Sequence, residues 1–116
     1  MAAVALNTFK TVRHLVTNQA VGIYTAPIGV ASIILYAQAT YVGNDDQVKF
    51  ITFSHVRPEA DISDFQIVEN GPVIPNDALN LLSGRLVLET NDELQVFGNT
   101  TGDVKVVISV LETAKS

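Results

Sequence analysis

Along this chain apolar and polar positions alternate over short runs, and turn-forming residues separate the runs. That rhythm predicts β-strands near Thr8–Val16, Gly22–Thr25, Val30–Val42, Gln47–His55, Asp64–Asn70, Arg85–Glu89, Leu94–Phe97 and Val104–Leu111. Ala26–Pro27 ends the second strand. Gly43–Asp46, "GNDD", turns the chain after the third, because Gly, Asn and Asp tolerate left-handed backbone and bond their own main chain. "GPVIPNDALN" holds Gly71, Pro72 and Pro75 and reads as irregular, with Asn76–Asp77 capping one short helical turn. Leu86 and Leu88, then Thr90–Asn91–Asp92, then Leu94 and Val96 follow the grammar of a β-hairpin. Leu6, Phe9, Val12 and Val16 also fit helical spacing, but the β-branched residues Thr8, Thr11, Val12, Val16 and Thr17 favour a strand there. The expected fold is therefore all-β: an antiparallel β-sandwich of about eight strands, immunoglobulin-like or jelly-roll. Residues 1–18 form an N-terminal arm or first strand, and residues 19–116 the sandwich domain.

Three of these strands depart from strict alternation. In the third, Val30, Ser32, Ile34, Tyr36 and Gln38 share one face, while Ala31, Ile33, Leu35, Ala37 and Ala39 share the other. In the fourth, Val48 and Phe50 oppose Ile51 and Phe53. In the eighth, Val104, Val106, Ile108 and Val110 form one face, with Val107 and Leu111 opposite. A two-layer sandwich buries one face of each sheet, so a second apolar face calls for another cover, either the N-terminal segment or a neighbouring subunit. Composition favours the subunit: 47% of residues are hydrophobic and 16% charged, against roughly 25% charged in an average protein. The expected contact residues are Phe9, Val12 and Leu15 in the N-terminal segment, Ile33, Leu35 and Tyr41 in the third strand, and Ile51 and Phe53 in the fourth.

The remaining chemistry is sparse. There is no cysteine, hence no disulfide, thiolate metal site or cysteine nucleophile. Net charge is -5 and the seven basic residues are scattered, so no nucleic-acid partner is expected. The start "MAAVALNTFK" lacks the charged region of a signal peptide, and the longest apolar stretch, Ile28–Ala39, is too short to cross a bilayer; no membrane partner is expected. Glu89, Asp92 and Glu93 could ligate a metal, but they lack the spacing of a calcium loop and read as a turn. His55 lies near Glu59, Asp61 and Asp64 without a known ligand motif, and it reads as a solvent-facing histidine. Ser54 and His55 are strand neighbours and point to opposite faces, which keeps them from pairing as nucleophile and base. Asn99–Thr101 matches a glycosylation sequon and reads as a turn. No catalytic, cofactor or metal residue is assigned, and no enzyme is expected.

Three stretches carry a family likeness: "IYTAPIGVASIILYAQATYVGND" (Ile23–Asp45), "PVIPNDALNLLSGRLVLETNDELQV" (Pro72–Val96) and "DVKVVISVLE" (Asp103–Glu112). Tyr24–Pro27, Ile74–Pro75, Gly84–Glu89, Asp92–Leu94 and Ser109–Glu112 together resemble a group of small β-sandwich virion structural proteins of tailed bacteriophages, common in marine and cyanobacterial phages. The resemblance implies a non-enzymatic virion component, assembled in the host cytoplasm. It would oligomerise with itself and bind other virion proteins, decorating or joining part of the capsid, neck or tail. The alternative is a receptor- or carbohydrate-binding module of a tail or fibre, with a host glycan as its partner and Tyr24, Tyr36, Tyr41 and Phe97 as the available rings.

Overall fold

The computed structural model describes residues 7–58 and 64–114. In those residues the chain forms nine strands: β1 (Asn7–Leu15), β2 (Val21–Thr25), β3 (Val30–Tyr41), β4 (Lys49–Val56), β5 (Asp64–Val73), β6 (Ala78–Asn80), β7 (Leu86–Leu88), β8 (Glu93–Gly98) and β9 (Val104–Ala114). They make two antiparallel sheets. Sheet A runs β1-β9-β3, with β6 and β7 both pairing the far edge of β3; sheet B runs β2-β8-β4-β5. Counting β6 and β7 as one interrupted strand gives four strands against four, each sheet drawing on both halves of the chain. That interleaving is the double Greek key of a jelly roll, which decides between the two sandwich types the sequence left open.

Val104, Val106, Ile108 and Val110 of β9 share one face, as their spacing predicts; it points inward and meets Leu94 and Val96 of β8 and Ile51 and Phe53 of β4 in one core. Val16, just after β1, closes that core and is itself buried. The short apolar run of β8 and the long one of β9 thus face each other across the two layers.

Several sequence expectations need correction. β3 carries a bulge at Leu35, between Ile34 and Tyr36. The extra residue switches the phase, because side chains alternate with period two and one insertion moves everything after it to the other face. Ser32, Ile34, Ala37, Ala39 and Tyr41 therefore point into the core, not Tyr36 and Gln38 with Ile34. Leu86–Val96 is not a hairpin: β7 pairs with β3 in sheet A, whereas β8 pairs with β2 and β4 in sheet B. The turn between them arches from one layer to the other. No helical turn forms at Asn76. Ile74–Asp77 instead closes a β-turn through the Asp77 N–H to the Ile74 carbonyl at 3.0 Å, with Pro75 second and Asn76 third at a φ of 64°. Pro then Asn is the signature of a type II turn. It leads directly into β6, a strand hidden in the sequence by its length of three residues.

Candidate functional site

Among the described residues, three polar clusters each fasten one part of the sandwich to another. The first centres on Asp92, at the end of the arch from β7 to β8. Asn91 holds a φ of 70°, and the Asp92 N–H closes the turn onto the Glu89 carbonyl at 2.9 Å. The Asp92 carboxylate, 1% exposed, accepts bonds from Arg57 Nε and Nη2, both at 2.9 Å, from the Glu89 N–H at 2.8 Å and from His55 Nε2 at 2.9 Å. The Arg57 guanidinium, with the Glu89 N–H and His55, holds the Asp92 carboxyl far below the usual carboxylate range, against the opposing effect of burial. Asp92 in turn raises Arg57 above its ordinary value. His55 is thus half-buried and bonded to Asp92, and does not face free solvent.

The second cluster joins the sheets beside β2. Tyr24 Oη donates to Glu112 Oε2 at 2.6 Å, and Ser32 Oγ, at 2.8 Å, supplies the hydrogen to the phenol oxygen. Lys10 Nζ lies 3.2 Å from Glu112 Oε1. Burial and the Glu112 carboxylate push the Tyr24 phenol up to about 12; the Tyr24 hydroxyl, reinforced by Lys10, draws Glu112 below its ordinary value. The third cluster closes the opposite end. Lys49 is buried and sits 2.8 Å from Asp45 Oδ2 and 3.7 Å from Asp103 Oδ2, while Tyr41 Oη donates to Asp45. Lys49, then Tyr41, pull Asp45 down to about 2.

In each cluster the central charged side chain, Asp92, Glu112 or Lys49, is buried. Ser54 points away from His55, on the opposite side of β4, so the His55–Asp92 pair has no adjacent strand hydroxyl to activate. Among the described residues no three His, Asp or Glu side chains converge to hold a metal ion; Glu59 and Asp61 lie outside the described residues. Asn99 accepts the Phe50 N–H through Oδ1 at 2.9 Å, a turn-stabilising role. Of the four rings available to a sugar, Tyr24 and Tyr41 spend their hydroxyls internally, and Tyr36 and Phe97 stand on opposite outer faces.

The outer face of sheet A differs from the rest. Register places Phe9 of β1 opposite Leu111 of β9, Leu111 opposite Ile33 of β3, and Ile33 opposite Val87 of β7. One apolar row therefore crosses four strands on the solvent side, with Phe9 72% and Val87 60% exposed at its ends. Of the contact residues expected from the sequence, Phe9 and Ile33 lie in this row, Leu15 is exposed on the same face, and Leu35 is half-exposed at the bulge. Val12 packs against the core from the inner side. Tyr41, Ile51 and Phe53 are core residues of this same chain, the last two 1% and 0% exposed, and have no surface to offer a neighbour. Val87 was not singled out by sequence, and Leu111 only as the unmatched side of its strand. Only register aligns them with Phe9 and Ile33.

No family model and no curated protein sequence matches the chain. Solved structures do. A chain of the acid-stable capsid of the Helicobacter pylori bacteriophage KHP30 superposes with a TM-score of 0.57 at 12% identity, covering 97% of this chain and 90% of that one. A chain of Bacillus endospore appendages, described as disulfide-linked pili, superposes with a TM-score of 0.56 at 10% identity, covering 100% and 98%. The likeness is one of fold over essentially the whole domain.

Proposed function

We propose that this chain is a non-enzymatic structural subunit of a bacteriophage virion, which oligomerises and decorates or joins part of the capsid, neck or tail. The observation that carries this reading is the apolar row Phe9–Leu111–Ile33–Val87 on a face that the subunit's own second sheet does not cover. Burying the exposed parts of Phe9 and Val87 alone contributes about 2–4 kcal/mol before association costs. A jelly-roll fold shared with a phage-capsid chain, and the phage-type sequence pattern, support the same assignment. The three polar clusters supply rigidity, which a lattice component needs. With no cysteine in the sequence, no disulfide joins its copies, unlike the disulfide-linked pili of similar fold.

Light scattering coupled to size exclusion, run from micromolar to millimolar protein, tests the reading. A mass that grows with concentration is expected, and Phe9→Ser with Val87→Ser is expected to shift growth to higher concentration. Point variants are the right probe because β1 is a full strand of sheet A and Val16 is in the core, so that deleting them would damage the fold itself. A monomer at every concentration, unchanged when phage structural partners are added, would refute the assignment.

A further inference from the structure

The two outer faces of the sandwich carry opposite charge. On sheet A the outward positions of the paired strands include two cations, Arg13 and Lys105, and no acid; neither cation has an ion-pair partner among the described residues. On sheet B the outward positions of the paired strands include Asp64 and Glu93 and, among the described residues, no base. These acids stand in one row, since Val56 pairs with both. Each face also holds exposed apolar side chains toward the end away from these charges, although on sheet A the exposed Leu15 pairs directly with Lys105. On sheet A, Leu111 lies six residues along β9 from Lys105, about 20 Å at strand rise. On sheet B, Phe50 lies six residues along β4 from Val56, and Phe50 and Phe97 are 40% and 37% exposed. The row Phe9–Leu111–Ile33 and the pair Phe50 and Phe97 thus each lie about one strand length from the charges of their own face.

Within one subunit the patterns run in opposite directions. Lys105 lies at the Lys49–Asp103 end, beside the start of β4 and Phe50, whereas Leu111 lies at the Tyr24–Glu112 end, beside Glu93. A neighbour stacked the same way up would set the apolar row on the acids. A neighbour turned end for end sets Arg13 and Lys105 on the end of sheet B that carries Glu93, and Phe9, Leu111 and Ile33 on Phe50 and Phe97.

We infer that copies of this chain stack front to back, the outer face of sheet A on the outer face of sheet B of the next copy, each turned end for end. This rests on the assembly reading above and names its contact. A contact between unlike faces does not close on itself, so it propagates as a row. Four strands about 4.8 Å apart and about ten residues long present roughly 600 Å² per partner. The total is at the lower edge of stable interfaces, so single contacts are weak and rows form by repetition. Sheet extension along β1 and pairing of two A faces are the competing arrangements of a second copy.

Charge swapping separates them. Arg13→Glu with Lys105→Glu, and separately Glu93→Lys, should each raise the concentration for half-assembly in sedimentation velocity by about tenfold or more. Combining all three in one chain should restore assembly. All these positions are at the surface, and far-ultraviolet circular dichroism checks that the fold persists. In the cysteine-free background, Lys105→Cys with Glu93→Cys should yield an oxidised covalent ladder, and Leu111→Cys with Glu93→Cys should not. A neutral Glu93→Lys, or no rescue by the triple change, overturns the front-to-back contact while the assembly reading stands. A ladder only from the Leu111 pair overturns the end-for-end turn. A wild-type chain that never assembles overturns both readings.

Discussion

Removing the Asp92 side chain should loosen the arch between the sheets more than any other single polar change. Asp92→Ala deletes four accepted hydrogen bonds, two of them from a guanidinium. Charge-assisted bonds contribute about 1.5–3 kcal/mol each, but their sum overstates the loss, because the Arg57 side chain is 43% exposed and regains water. The Glu89 N–H and His55 recover less. A net loss of about 2–4 kcal/mol is expected, or roughly 8–16 °C in midpoint for a domain near this size. Urea unfolding followed by circular dichroism measures it, since the chain has no tryptophan to report by fluorescence. The pH dependence supplies a second check. The folded Asp92 carboxyl titrates well below its ordinary 3.8, so the unfolded chain binds its proton first as pH falls. Its stabilisation is full above about pH 5 and is lost progressively below about pH 4 as the solution approaches the folded value. The gap between wild type and Asp92→Ala should therefore narrow in acid. A gap under about 0.5 kcal/mol at neutral pH, or one that stays constant down to acid unfolding, would refute the role of Asp92 as an inter-sheet clasp.

Tyr24→Phe should cost about 1–2 kcal/mol in the same assay by removing the bonds to Glu112 and Ser32. The folded phenol is raised from 10.0 to about 12, so its contribution is present below pH 10 and lost as pH rises toward 12; the variant should show a flatter alkaline limb. Two glycines should respond oppositely to alanine. A Cβ at Gly71 would press on Val68 and come within 2.9 Å of Leu79 Cδ2, so Gly71→Ala should lose about 1–3 kcal/mol by overpacking. At Gly22 the added Cβ meets the end of the Glu93 side chain, which can swing aside; Gly22→Ala should stay within about 0.5 kcal/mol of wild type.

The sequence alone determined the class of fold, because period-two patterning and turn residues act locally and survive without tertiary information. It placed Val104, Val106, Ile108 and Val110 of β9 on one face, separated Val48 and Phe50 from Ile51 and Phe53, and read Thr90–Asp92 as a turn. It also flagged more apolar faces than two layers need. Tertiary structure alone decided which of those faces stays wet. The bulge at Leu35 reverses the phase of β3, an event that leaves no mark in the pattern of apolar residues. Strand order turned a hairpin-like segment into an arch between sheets and identified the jelly roll. Arg57 and Asp92 lie 35 residues apart, so no local spacing could announce their clasp. The row from Phe9 to Val87 draws one residue from each of four strands, and it exists only once hydrogen-bonded register has set them side by side. Local chemistry chooses strands; long-range pairing chooses their neighbours, and with them the surface that another molecule meets.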